Sequence, residues 1–275
     1  MGDCSYCGQP AGILRSKHSE CEKQHAISQQ QIREAVVQAI QARGNASKIS
    51  STILPIARQG FVRSNEFNAL MVDGWVKAVE LFIEDGMLSK DEEASLMNFA
   101  QQTGLVPQLQ QHPSYSLVAK AAQLRDLAEG KSTSRMSFSG PLPINLQKGE
   151  TLIWAFPDTQ YLEDRERKEF VGTSHGVSLR VMKGVYYRVG AFKGRPVTHQ
   201  ERVNVGTGTL FVTTKNLYFA GSQKSVRVPY SKIISFEQYS NGIGIMRDAA
   251  TAKPQTFITG DGWFTFNLIS QVSQQ

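Results

Sequence analysis

The sequence has few cysteines and no long hydrophobic run. Only three cysteines occur among 275 residues, and all lie within the first 21 positions. No window approaches the roughly 18 consecutive apolar residues that span a bilayer, and the first residues lack the pattern of a secretory signal. We therefore expect a globular, cytoplasmic protein that could still be peripheral to a membrane. A disulfide framework is not expected, because it would leave one thiol over and needs an oxidising compartment.

Catalytic motifs are missing as well. The sequence contains no H-E-x-x-H, no G-x-S-x-G and no P-loop. The motif Gly206-x-Gly208 leads into a predicted strand rather than a helix, so it cannot direct a helix N-terminus at a phosphate. Ser174 and His175 are adjacent and would point apart on a strand. We expect no enzyme, no catalytic residue and no small-molecule substrate. A hydrolase or nuclease is a third hypothesis, and it would need a metal-dependent activity that one acidic substitution destroys.

The three cysteines share a short window with one histidine, in the pattern C-x2-C-x10-H-x2-C. A C-x2-C turn can direct two thiolates at one ion, and residues three apart lie on one face of a helical turn. Four such protein ligands complete a tetrahedron around Zn²⁺ and leave no position for a reacting water. The spacing therefore predicts a structural zinc site, with unligated cysteines as the alternative. Its ligands are Cys4, Cys7, His18 and Cys21.

This N-terminal segment resembles treble-clef-like zinc knuckles, on the strength of Cys4-Ser5-Tyr6-Cys7-Gly8 and His18-Ser19-Glu20-Cys21. A stretch this short cannot bury enough apolar surface to fold without the metal. His25, one turn beyond Cys21, is a substitute ligand to consider, although we expect it to be a surface histidine.

A helical middle is predicted by apolar residues that recur at steps of three and four. Ser89 with Glu92 three residues later has the spacing of a capping box, and Asp85-Gly86 is expected to end the preceding helix. Pro55 lies early enough in its helix to be tolerated or to bend it. The predicted helices are 27–42, 51–59, 65–83, 89–104 and 116–128.

The run 85–105 reads D-G-M-L-S-x-x-E-x-x-x-L-x-x-F-A-x-x-x-G-L. It resembles the helical repeat of tellurite-resistance-B-like domains over about 25 residues, which implies a helical bundle. Some members of that family are thought to bind metal through acidic side chains, which would point to Asp85 and Glu92. We expect helix ends to account for both residues instead.

A Gly-, Ser- and Pro-rich stretch follows, and then the pattern changes to short strands separated by turn residues. Asn241-Gly242 carries the strongest hairpin signal, and Asp261 is a predicted N-cap for a C-terminal helix. Consecutive hairpins predict an antiparallel meander. The predicted strands are 151–156, 176–182, 184–190, 208–213, 217–220, 225–228, 233–239, 242–246 and 256–258.

Two segments of this region, 208–219 (G-T-L-F-V-T-T-K-N-L-Y-F) and 228–236 (V-P-Y-S-K-I-I-S-F), resemble the GRAM-type signature. The resemblance covers about 70 residues and implies a pleckstrin-homology-like β-barrel whose C-terminal helix plugs one open end. Such barrels bind phosphoinositides, peptides or nothing small. Residues 173–195 depart from a plain barrel and are expected to form an inserted or extended hairpin.

Charge is distributed unevenly. Residues 1–130 hold 12 Lys and Arg against 14 Asp and Glu, whereas residues 131–275 hold 18 against 10. Within 180–195, five cations and three aromatic residues form a candidate surface for phosphates of lipid headgroups or nucleic acid. Solvated cations over core aromatics are the alternative, and the mixed-charge run 163–169 is predicted to be an exposed loop or helix face. The candidate contacts are Arg180, Lys183, Tyr186, Arg188, Lys193 and Arg195.

The fold class predicted from these observations is a multidomain α+β protein. Its expected parts are a zinc knuckle (1–26), a helical bundle (27–130), a linker (131–145) and the barrel domain (146–275). The module resemblances imply a bacterial-type, non-enzymatic adaptor with a protein partner or an anionic, lipid-headgroup partner. A nucleic-acid-binding protein that uses the knuckle and residues 180–195 is the alternative.

Overall fold

A computed structural model describes residues 2–12, 15–43, 46–84, 88–136, 140–174, 177–182, 185–189, 192–249 and 253–275, without the side chains of 46–49 and 165–201. The chain divides into two compact units, Met1–Lys131 and Ser132–Gln275. The described residues form an α+β structure, as predicted. No helix among them is both long and apolar enough to cross a membrane.

The first unit is helical. Its largest buried side chains include Trp75 and Phe99, and the indole N–H of Trp75 donates to the carbonyl of Leu96 at 3.0 Å, which satisfies a polar atom inside the core. Gly74 allows close contact between the first and third helices, because a Cβ there would lie 2.6 Å from the Cβ of Val36. The helices are α1 (Ser19–Gln41), α2 (Ala46–Gln59), α3 (Ser64–Ile83), α4 (Lys90–Gln102), α5 (Val106–Leu109) and α6 (Pro113–Ala128).

The predicted capping box is present at the start of α4. Ser89 accepts a hydrogen bond from the backbone N–H of Glu92, and the Glu92 carboxylate accepts from the Ser89 backbone N–H at 2.9 Å. The helix ends before Gly104, which has a positive φ of 69° that glycine adopts without strain. The predicted end of α3 at Asp85-Gly86 lies outside the described residues.

The second unit contains an antiparallel sheet of seven strands in the order β6-β5-β4-β1-β9-β8-β7, and a separate two-stranded sheet, β2-β3. The strands are β1 (Leu152–Ser174), β2 (Val177–Met182), β3 (Val185–Val189), β4 (Phe192–Thr213), β5 (Asn216–Gly221), β6 (Ser225–Pro229), β7 (Ile233–Tyr239), β8 (Gly242–Arg247) and β9 (Gln255–Ile258). The central strand β1 therefore joins the meander β4-β5-β6 to the meander β7-β8-β9.

The prediction of a closed barrel is wrong. The outer strands β6 and β7 do not pair with each other among the described strands, so the sheet remains open. A short 3-10 turn, Tyr230–Lys232, connects them. Pro229, the last residue of β6, has no backbone N–H to donate to a neighbouring strand, which is a typical feature of a sheet edge.

The C-terminal helix α7 (Gly262–Val272) packs against β7 and β8, and the predicted N-cap Asp261 accepts a hydrogen bond from the Phe264 N–H at 3.0 Å. The rings of Phe264 and Trp154 pack edge to face, with 4.8 Å between ring centres. A second aromatic group packs inside the sheet, where Tyr161 stacks on Phe257 at 5.0 Å. The first of these contacts joins the helix to the sheet, and the second joins β1 to β9.

The strands β1 and β4 are much longer than predicted. They pair from Leu152↔Thr213 to Ser174↔Phe192, whereas β1 pairs with β9 only from Gln160 to Glu163. The mixed-charge run 163–169 therefore lies within β1, and its prediction as a loop or helix face is wrong. This run is a strand because its backbone forms hydrogen bonds with β4, and the charge pattern of 163–169 itself gives no sign of that partner.

A buried carboxylate stabilises the β4–β5 hairpin. Glu150 is 8% exposed and accepts several hydrogen bonds. Burial raises the pKa of Glu150, but these hydrogen bonds outweigh that effect and hold the pKa below its ordinary value. The donors are the hydroxyls of Thr213 and Tyr218, the amide of Asn216 and the backbone N–H of Gln147.

Candidate metal centre

A tight turn brings Cys4 and Cys7 together. The Cys4 backbone N–H donates to the carbonyl of Gln9 at 2.7 Å, and the N–H of Gly8 donates to the carbonyl of Cys4 at 2.9 Å. Gly8 has a φ of 71°, in the left-handed region that favours glycine. The C-x2-C turn therefore forms for local reasons, as its sequence predicts.

The other two candidate ligands lie where the chain enters α1. His18 is the residue that precedes the helix, and Cys21 lies in the first turn. The N-terminus of a helix carries unpaired N–H groups and a partial positive charge, both of which favour a thiolate nearby. α1 begins at Ser19, eight residues before the predicted start, so Cys21 belongs to a helix that also enters the core.

The four predicted ligands converge. One ligand atom from each lies within 4.8 Å of all the others. The Nδ1 atom of His18 is 3.4 Å from the sulfur of Cys7 and 3.7 Å from the sulfur of Cys21. A tetrahedral Zn²⁺ with bonds of about 2.3 Å to sulfur and about 2.0 Å to nitrogen places its ligand atoms roughly 3.5–3.8 Å apart. The cluster could therefore hold a metal ion.

The orientation of His18 fits this role. Its Nε2 atom lies 3.1 Å from the carbonyl oxygen of Pro10, which can only accept a hydrogen bond. In a neutral imidazole Nε2 then carries the proton, and the lone pair of Nδ1 faces the sulfurs. Metal-ligating histidines commonly donate a hydrogen bond from the N–H of their second ring nitrogen to a carbonyl in this way.

The thiols differ in their acidity. Burial raises the pKa of Cys4, but hydrogen bonds from three nearby backbone N–H groups outweigh it and lower the pKa of that thiol to about 6. Burial and hydrogen bonds with the other two thiols raise the pKa of Cys21 to about 11. Three thiolates packed this closely repel one another, and a divalent cation among them removes that repulsion.

Tyr6, between the first two cysteines, connects the cluster to the helices. Its ring lies 4.7 Å from the ring of His25 on α1 and 6.5 Å from that of Phe61. His25 in turn contacts the carbonyl oxygen of Gly60 through Nδ1 at 2.6 Å and Glu66 through Nε2 at 2.8 Å. The side chain of His25 is 12% exposed and is thus not the surface histidine that we expected.

Sequence reasoning missed this second layer of residues. Glu66 on α3 also accepts a hydrogen bond from Gln29 at 2.5 Å. Burial raises the pKa of Glu66, but this hydrogen bond and the charge of His25 lower it below its ordinary value. The partners are 35 to 41 positions apart, and the only sequence signal was the position of His25 one helical turn after Cys21.

Among the other candidate site residues, the structure describes the side chain of Glu92 alone. The carboxylate of Glu92 takes part in the capping box, and Asp85 lies outside the described residues. Lys183 also lies outside them. Of the remaining candidate phosphate contacts the structure describes only the backbone. They lie in β2 (Arg180), β3 (Tyr186 and Arg188) and β4 (Lys193 and Arg195).

Comparisons with known proteins add no assignment. The chain matches no protein-family model, no curated protein and no solved structure.

Proposed function

We propose that the chain is a non-enzymatic adaptor whose helical unit is stabilised by one structural zinc ion. One observation carries this proposal: the three sulfurs and the Nδ1 atom of His18 converge within 4.8 Å. Three thiolates and an imidazole suit the borderline-soft Zn²⁺ ion better than the oxygen-preferring Mg²⁺ or Ca²⁺.

A structural role follows from the number of ligands. Four protein ligands occupy all four coordination positions of a tetrahedral ion, so no position is open to a substrate. Tyr6 packs on His25 and Phe61, so an ordered N-terminal loop adds to the core of the helical unit. The bound metal would therefore stabilise a surface that a partner protein recognises.

The second unit supplies a further surface in this proposal. Its central strand β1, two meanders and helix α7 support the resemblance to pleckstrin-homology-like domains, although the sheet is open. The resemblance implies a domain that binds phosphoinositides, peptides or nothing small, and the fold alone does not decide among these. We infer that this unit binds a protein or an anionic partner, and nucleic acid is the alternative.

The experiment is a paired measurement of metal and partners. The full chain is purified without added metal, its metal content is measured by plasma mass spectrometry, and partners are captured from a bacterial lysate with and without nuclease. We expect one equivalent of zinc and nuclease-resistant partners that Cys21→Ser loses. No bound metal contradicts the structural centre. Capture that nuclease abolishes, with an affinity that falls steeply with salt, favours the nucleic-acid alternative.

A further inference from the structure

A two-stranded ladder extends from the main sheet. Beyond the last β1–β9 pair, Glu163↔Gln255, the strands β1 and β4 continue to pair with each other as far as Ser174↔Phe192. At about 3.3 Å per residue this ladder is ~35 Å long. The chain between its ends forms the separate sheet of β2 and β3. In the sequence, the full length of this ladder therefore separates the hairpin β2–β3 from the aromatic core residues of the unit.

The register of β2 and β3 places different residue types on the two faces of the hairpin. Residues of one strand alternate between the two faces, and directly paired residues share a face. One face therefore holds two valines, a leucine and one tyrosine, whereas the other holds both arginines of the hairpin with a serine and the second tyrosine. The pairs of the first face are Val177↔Val189 and Leu179↔Tyr187, and those of the second are Ser178↔Arg188 and Arg180↔Tyr186.

The stretch 170–200, which contains the hairpin and the adjoining ends of β1 and β4, carries nearly all of the net charge. Residues 170–200 contain five Lys and Arg and no Asp or Glu. The other 25 of the 30 cations in the chain are nearly balanced by its 24 acidic residues. The chain outside 170–200 therefore has a net charge close to zero, although the whole chain has +6. Such a concentration of charge attracts an anionic surface.

We propose that the hairpin β2–β3 docks on an anionic lipid bilayer, a step that rests on the adaptor function proposed above. An isolated two-stranded hairpin is marginally stable in water, so an apolar face on one needs a cover. A bilayer surface provides an apolar boundary for Leu179 and its neighbours and phosphates for the arginines. A nucleic acid would satisfy the cations and leave the apolar face in water, so the register favours the bilayer.

The test is co-sedimentation of the full chain with phosphatidylcholine vesicles, with and without phosphatidylserine. We expect binding to the anionic vesicles that weakens as salt is raised. Because each cation near such a surface contributes about fivefold to binding, R180Q with R188Q should lose roughly 25-fold. The Leu179→Ser variant should bind anionic vesicles more weakly. Its residual binding should depend on salt as strongly as that of the original chain.

A matched control removes two exposed cations elsewhere in the same unit, Lys232 and Lys253. The pair K232Q and K253Q changes the net charge equally and should bind vesicles like the original chain. Equal losses in both double variants, or equal binding to neutral and anionic vesicles, would overturn the proposal. So would duplex DNA binding or self-association that depends on Arg180 and Arg188 without vesicle binding.

The outcome is separable from that of the adaptor function. The hairpin variants should retain one equivalent of zinc, because they lie in the second unit and the four ligands lie in the first. They should also keep the thermal unfolding temperature of the original chain, because β2 and β3 form a sheet separate from the seven-stranded sheet. A full metal content with no vesicle binding rejects the membrane proposal alone. An absent metal with intact vesicle binding rejects the structural centre alone.

Discussion

The Nε2 atom of His18 lies 3.1 Å from the carbonyl oxygen of Pro10. This contact fixes which nitrogen of the ring faces the three sulfurs, and it comes from the same loop that carries Cys4 and Cys7. The loop therefore supplies two ligands and orients a third, so that the geometry of the centre depends on few residues outside it.

Removal of one ligand should strongly weaken metal binding. In Cys21→Ser a hydroxyl replaces a thiolate, and zinc affinity should fall roughly 100-fold or more, because loss of even an outer partner of a ligand costs 10- to 100-fold. Competition with a chromophoric chelator measures the change. Ser19→Ala, in the same helical turn, is the control and should keep its metal. An unchanged affinity in Cys21→Ser would remove this residue from the ligand set.

The ring of Tyr6 should stabilise the helical unit. Tyr6→Ala removes the packing on His25 and Phe61 and should lower the free energy of unfolding by about 1–2 kcal/mol. Chemical denaturation of the zinc-loaded chain measures it. Tyr6→Phe keeps the ring and should remain within about 0.5 kcal/mol of the original chain. Equal stability of the Ala and Phe variants would show that the contact contributes little.

The second unit should lose stability in acid through Glu150. Its pKa in the folded chain is lowered below the ordinary value of 4.5, so its contribution is complete above that value and is lost as pH falls through the folded pKa. Glu150→Gln should cost about 1.5–3 kcal/mol at pH 7 and flatten the acid dependence. Unfolding at several pH values measures both effects, and the exposed Glu237→Gln is the control. A variant as acid-sensitive as the original chain would contradict this role.

We expect the role of Glu92 to be the capping of α4 rather than metal binding. Ser89→Ala removes the hydroxyl that accepts from the Glu92 N–H and should cost about 1 kcal/mol of unfolding free energy, whereas Ser89→Thr should retain most of it. Glu92→Gln should leave the metal content of the chain unchanged. A second metal equivalent that Glu92→Gln removes would support the metal site implied by the tellurite-resistance-B-like resemblance instead.

The ligand cluster could be predicted from sequence because its signals are local. Cys4 and Cys7 are joined by a turn that Gly8 permits, and His18 and Cys21 are one helical turn apart. The same holds for the Ser89 capping box and the Asp261 N-cap, each of which joins two residues that are three positions apart. In these places local spacing decides the structure.

The remaining features depend on partners that are distant in the sequence. The length of β1 follows from its pairing with β4, and charges at 163–169 gave no sign of it. The contacts of His25 with Gly60 and Glu66, and those of Glu150 with Asn216, join residues 35 to 66 positions apart. Closure of the sheet likewise depends on whether β6 meets β7, which short-range patterns do not specify.

The helix α1 holds Cys21 in its first turn and Ile40 in the hydrophobic core, about 30 Å farther along at 1.5 Å per residue. Order at the two ends is thus linked through one continuous ladder of backbone hydrogen bonds. Amide protons along the whole helix should then exchange in a single cooperative opening when the ion is bound, whereas the chelated chain should exchange progressively from Ser19 inward.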